Sequence, residues 1–197
     1  RNKGKKSALD RINELLSSSY SQKIIKDKGI AKLHEYIEII DTDLAVIQDT
    51  FSSQIKDAYL IHSAGFVNLS TDEEQREKIF DENTKITKSI FNLFNPFIKK
   101  FIYIGTAFSS GNRKGLIDND FHSLGFQPEH LNAYENAKFH SENFIAQESK
   151  KINLPFQILR PSVIGGKMLG TENPYFIKKK IINYILEKIF HLNIKRQ

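Results

Sequence analysis

Three pairs of residues in this chain have the type and spacing to move a proton. Tyr134 and Lys138, Tyr175 and Lys179, and Tyr184 and Lys188 each follow the pattern Tyr-x-x-x-Lys. On a helix this spacing sets both side chains on one face, about one turn apart. An ammonium beside a phenol favours the phenolate and draws its pKa down from about 10. The phenol can then exchange a proton with a carbonyl or alcohol oxygen near neutral pH. In so lysine-rich a chain the pattern alone selects nothing, and position decides. Only Tyr134 and Lys138 fall on a helix between two strand ends, with Thr106 at the first end and Pro161 and Ser162 at the second. The other two pairs fall on a terminal amphipathic helix, where packing and solvation account for them.

Periodicity supplies the elements that position this pair. Residues 7–25 place Leu9, Ile12, Leu15, Leu16 and Tyr20 on one helical face, with Ser7 and Asp10 as an N-cap pair. Residues 36–40 form a short β-rich run ending at Asp41-Thr42-Asp43, and residues 58–62 form a second strand followed by Ser63-Ala64-Gly65. Thr71-x-x-Glu74 has the capping-box pattern and opens a helix through Ile79, Ile86, Ile90, Phe91 and Phe94, stopped by Asn95-Pro96. Residues 101–104 make a third strand, 130–150 a helix, 156–159 a fourth strand and 175–191 a last helix with Ile177, Ile181, Ile185 and Ile189 in register. Strands alternating with helices imply βαβ units and a parallel sheet, whose ligand sits beyond the carboxyl ends of the strands.

In order and spacing these residues resemble the extended short-chain dehydrogenase/reductases. The resemblance is carried by Gly105-Thr106-Ala107 after a strand, Tyr134-x-x-x-Lys138 with Glu142, and Leu159-Arg160-Pro161-Ser162-x-x-Gly165. Asp43-Leu44, Ile61-His62-Ser63-Ala64-Gly65 and Asn83 match further family segments. The branch most similar is that of the fatty-acyl-CoA reductases and thioester reductases, the male-sterility type, because residues 1–11 read Arg-Asn-Lys-Gly-Lys-Lys-Ser-Ala-Leu-Asp-Arg.

The resemblance implies a Rossmann-like doubly wound parallel α/β sheet over residues 1–165 and the start of a small substrate domain over 166–197. It also implies that the chain is truncated at both ends. The family's first strand–helix–strand unit, with its Gly-rich turn, would precede Arg1, and none of the ten glycines here forms a Gly-x-x-Gly-x-x-Gly series. The chain by itself is then expected to bind NADPH weakly or not at all.

The implied activity is NADP-dependent reduction of an acyl thioester, with hydride from NADPH and NAD(H) as the alternative cofactor; the thiol belongs to coenzyme A or a carrier protein, and the product is an aldehyde or alcohol. Catalysis would fall to Tyr134, Thr106, Lys138 and Asn83. Cofactor contacts would come from Arg1, Asp43, Leu44, Ala64, Gly65, Tyr134, Lys138, Pro161, Ser162 and Val163. A nucleotide-sugar epimerase or dehydratase of the same superfamily is the alternative enzyme, and a non-catalytic dinucleotide-binding domain the alternative of another class.

Composition excludes other chemistries. The chain carries 29 Lys plus Arg against 23 Asp plus Glu, a net charge of +6, but the positives gather at its two ends without an aromatic-interleaved stripe, which argues against nucleic acid. The absence of Cys removes disulfides, zinc–thiolate sites and a cysteine nucleophile, and fits a reducing, cytoplasmic setting. The six His have no ligand spacing, so no metal is expected, and no P-loop motif occurs. The apolar stripe of residues 175–191 is read as a packing surface, with membrane-surface contact as the less favoured alternative.

Overall fold

The structure, a computed structural model, describes residues 6–18, 22, 25, 26, 37–40, 47, 56–119 and 127–162. The chain divides into two compact units, residues 1–47 with 178–197, and residues 48–177. In the first unit the described element is helix α1, Ala8–Leu16. Its start is the expected capping box: Ser7 Oγ accepts from Asp10 N at 3.1 Å while Asp10 Oδ2 accepts from Ser7 N at 3.2 Å. Two otherwise orphaned donors are thereby satisfied. Residues 37–40, expected as a strand, are not in one. The expectations for Arg1, Asp43, Leu44, Val163, the boundary at 165 and the helix of residues 175–191 lie outside the described residues.

The second unit holds β1 (Ala58–His62), α2 (Glu73–Phe94), β2 (Ile98–Ile104), α3 (Ala133–Lys151) and β3 (Phe156–Leu159). The three strands form one parallel sheet in the order β1-β2-β3, with His62 beside Tyr103 and Ile104 beside Leu159. Parallel neighbours need long crossovers, which α2 and α3 supply. This is the expected Rossmann-like arrangement.

Local chemistry sets the element ends. The cap of α2 is Asp72, one residue after the expected Thr71: its Oδ1 accepts from Glu74 N at 3.1 Å, and Ser70 Oγ accepts from Asp72 N at 3.1 Å. A carboxylate also meets the positive end of the helix dipole, which a hydroxyl does not. Pro96 stops α2 as expected, and Asn95 Nδ2 donates to Phe91 O at 3.1 Å. Strand β2 starts three residues earlier than its apolar run. Lys99 packs over the Tyr59 ring at 5.0 Å, and Lys100 Nζ donates to Gln157 Oε1 at 2.9 Å, so neighbouring strands accommodate both lysines.

The core lies between α2, α3 and the sheet. Phe91 meets Phe101 and Phe144 at centroid distances of 5.2 and 5.5 Å, and Ile79, Ile90, Phe139 and Ile145 are buried around them. Each such side chain contributes about 1.5–3 kcal/mol by leaving water. No described helix is long and apolar enough to cross a membrane.

Candidate active site

Beyond the carboxyl ends of the strands run Ser63–Phe66 after β1, Gly105–Ala107 after β2 and Arg160–Ser162 after β3. Pairing continues past the last two strands, because Gly105 N donates to Leu159 O at 2.8 Å and Ala107 N to Pro161 O at 3.0 Å. Thr106 and Pro161 are therefore held on neighbouring segments. The Thr106 Oγ1 caps a short 3-10 turn by accepting from Phe108 N at 3.3 Å, which leaves its O–H to donate elsewhere. Ser63, Ala64, Gly65 and Ser162 are exposed.

Helix α3 brings the Tyr-x-x-x-Lys pair to this edge. Asn132 starts the helix by accepting from Glu135 N at 3.0 Å, which fixes Tyr134 in its first turn. Lys138 is 4% exposed; its Nζ donates to Ile104 O at 3.0 Å, 4.7 Å from the Tyr103 ring centroid and 5.7 Å from that of Tyr134. Burial pulls the Lys138 ammonium down to about 8, against the charge of Glu142, which favours the cation.

The phenol of Tyr134 departs from expectation. Its pKa is raised, not lowered, because burial disfavours the phenolate; Lys138 Nζ donates to Ile104 O instead. Tyr134 is thus a neutral hydroxyl at neutral pH, suited to holding and giving a proton.

Asn83 differs as well. Resemblance implies a catalytic group, but the side chain is 2% exposed and its amide grips backbone: Oδ1 accepts from Phe66 N at 2.9 Å, and Nδ2 donates to Phe66 O at 3.0 Å and Ile79 O at 2.8 Å. It positions the segment that follows β1. A Cβ on Gly65 would stand 3.1 Å from Asn83 Oδ1 and 3.5 Å from Lys138 Nζ. The bare Gly65 backbone, Asn83 and Lys138 therefore meet at one place.

Further groups complete the site without having been assigned roles from sequence. Glu142 is fully buried, and its Oε2 accepts from Arg160 Nε at 2.7 Å; Arg160 Nη1 also donates to Asn119 O at 3.1 Å. A Cβ on Gly105 would lie 2.1 Å from Glu142 Oε1, so this glycine makes room for the carboxylate. Under β1, His62 Nε2 lies 2.9 Å from Thr87 Oγ1, whose own proton goes to Asn83 O at 2.9 Å. That chain makes His62 Nε2 the donor. Burial, then the charge of Lys138, lower His62 to about 3, so the ring is neutral. The i, i+4 spacing of Lys138 and Glu142 was a sequence signal for the first group; nothing in the sequence links His62 to Thr87.

Comparison with known proteins places this arrangement. Among solved structures, the chain is similar to Pal from Bacillus thuringiensis (15% identity, 78% of this chain and 50% of that one, TM-score 0.54). It is also similar to RMD from Pseudomonas aeruginosa, solved with NADPH (18%, 62% and 42%, TM-score 0.51). An epimerase from Methanothermobacter thermautotrophicus is a third (16%, 63% and 37%, TM-score 0.50). At such identities the likeness is one of fold, and the chain spans half or less of the length of these three structures. A search of curated protein sequences gives no match. The family model described as male sterility protein, an NAD-binding family of the fatty-acyl-CoA reductase type, matches residues 1–192, and the chain belongs to that family.

Proposed function

We propose that this chain is the nicotinamide-binding part of an NADP-dependent reductase of acyl thioesters, with coenzyme A or a carrier protein as the thiol. The observation that carries the reading is Lys138, a buried ammonium anchored on Ile104 O at 3.0 Å between the Tyr134 and Tyr103 rings and beside the exposed, side-chain-free Gly65. The residues suit a dinucleotide: bare backbone at Ala64 and Gly65 admits close approach, and the ammonium has donors left for ribose hydroxyls. When bound, the cofactor supplies hydride to the thioester carbonyl carbon, and the carbon–sulfur bond breaks to release thiol and aldehyde.

Each residue then has a task. Lys138 binds and orients the ribose. Tyr134 holds a proton at its phenolic oxygen and gives it to the carbonyl oxygen as negative charge develops there. The Thr106 O–H donates the second hydrogen bond to that oxygen. Pro161 and Ser162 wall the nicotinamide end, and Asn83 keeps the Gly65–Phe66 backbone in place.

In the complete protein, Tyr134→Phe is expected to lower NADPH-dependent reduction of an acyl-CoA by about 10²-fold with little change in NADPH affinity. The rate is followed by NADPH absorbance and the affinity by calorimetry. Full turnover in Tyr134→Phe would overturn the assignment.

A further inference from the structure

Two successive residues at the end of β2 are each gripped by α3. Ile104 offers its carbonyl oxygen to Lys138 Nζ at 3.0 Å. Gly105, next in the chain, leaves space where a Cβ would come within 2.1 Å of Glu142 Oε1. Lys138 and Glu142 are four residues apart on α3, so they flank the Ile104–Gly105 peptide from one helical face. Glu142 is fully buried, and its carboxylate is held from the other side by Arg160 at 2.7 Å, directly after β3.

We infer that Glu142 is a positioning residue: its carboxylate, held in place by Arg160, favours the charged form of Lys138 and locks that ammonium's anchor at the end of β2. The role rests on the reading of Lys138 as the cofactor-side lysine.

The physical reason is the imbalance of charge around Lys138. The titratable groups facing it are Tyr134 and Glu142 on α3, Tyr103 on β2 and His62 on β1. Both tyrosines are driven toward the neutral phenol and His62 toward the neutral ring by burial. Asn83, the polar group of α2 beside Gly65, is neutral. Glu142 is the anion of this set, and burial alone works against an ammonium. A Lys138 that lost its proton could still accept from a ribose hydroxyl but would no longer present a positive charge to Tyr134. Arg160 extends the device, since through Glu142 it links the end of β3 to α3, and its Nη1 also donates to Asn119 O.

The test needs no nucleotide. Lysine is labelled with carbon-13 and the Lys138 Cε resonance, identified by its loss in Lys138→Met, is titrated by NMR. Wild-type Lys138 is expected to titrate at about 8. In Glu142→Gln, which keeps shape and an acceptor for Arg160, proton affinity at Lys138 should fall by about tenfold or more, whereas Glu142→Asp should largely restore it. An unchanged titration in folded Glu142→Gln overturns the inference.

If Glu142→Gln does not fold, the double variant Lys138→Met, Glu142→Gln decides. Recovery of folding by circular dichroism supports the coupling, because the uncompensated buried cation has been removed; continued failure means Glu142 serves packing alone and overturns it. Calorimetric titration of NADPH into the complete protein carrying Lys138→Met tests the underlying reading separately. Unaltered NADPH affinity there would defeat the cofactor role of Lys138 while leaving the measured effect of Glu142 on its charge intact.

Discussion

The ends of β1 and β2 are neighbours in one sheet, yet they are held by opposite chemistry. After β1 the chain turns outward, and its clamp is neutral: the Asn83 amide on Phe66 backbone, and the His62 ring on Thr87. At the end of β2 the backbone is buried through Gly105, and its clamp is ionic: Lys138 on Ile104 O, and Glu142 with Arg160 against Gly105. Neutral hydrogen bonds fix a backbone in place without shaping the potential in front of it, and so suit a surface that a ligand lies against. Buried charges also set the protonation of their neighbours, and so suit the place where a proton is to be moved.

Acid should break the first clamp more than the second. His62 is held at about 3 against 6.5 for an ordinary imidazole, so below pH 6.5 the unfolded chain takes up a proton that the folded one does not. Stability therefore falls as pH drops from 6.5 toward 3, by an amount on the order of 3 kcal/mol. His62→Phe keeps an aromatic ring between Phe101 and Tyr103 and should remove that part of the loss. The check is urea unfolding of both proteins at several pH values. Parallel stability–pH curves for variant and wild type would show that His62 is not the acid-sensitive group.

The ionic clamp should be the less tolerant of added volume. Gly105→Ala puts a methyl where Glu142 Oε1 lies and should destabilise by about 3 kcal/mol, because the displaced carboxylate gives up Arg160 without reaching water. Thermal unfolding measures it, and a loss below about 1 kcal/mol would mean the carboxylate moves aside freely. Removing the neutral clamp comes next. Asn83→Ala deletes three hydrogen bonds to backbone and should cost about 2 kcal/mol, with faster amide exchange at Phe66 as its local signature. Slow exchange at Phe66 in that variant would show that the segment is held by something else.

The smallest effect on stability is expected at Gly65. Its added Cβ would stand 3.1 Å from Asn83 Oδ1 on an exposed segment, so Gly65→Ala should cost under about 1 kcal/mol. In the complete protein NADPH affinity should nevertheless weaken, since the methyl occupies space beside Lys138 Nζ. Calorimetry and thermal unfolding of Gly65→Ala and Gly105→Ala side by side give the sharpest form of the comparison: one variant stable with weakened binding, the other unstable.

The sequence by itself determined the parallel α/β class, strands β1 and β3 to the residue, the Pro96 stop of α2, and the placing of Tyr134 and Lys138 on one helix between two strand ends. Each of these follows from short-range rules: periodicity, capping, the missing N–H of proline, one turn of helix. It also held the order of motifs that marks the family. Tertiary structure alone decided what the side chains do. Asn83 reaches backbone 17 residues away, Arg160 pairs with Glu142 across 18 and Lys138 finds Ile104 O across 34. The phenol of Tyr134 shows the reason most plainly. Its spacing from Lys138 predicts a lowered pKa, whereas its burial raises it. Spacing along a helix fixes which groups are close, but the balance between an attracting charge and lost hydration is set by everything packed around them, and most of that comes from elsewhere in the chain.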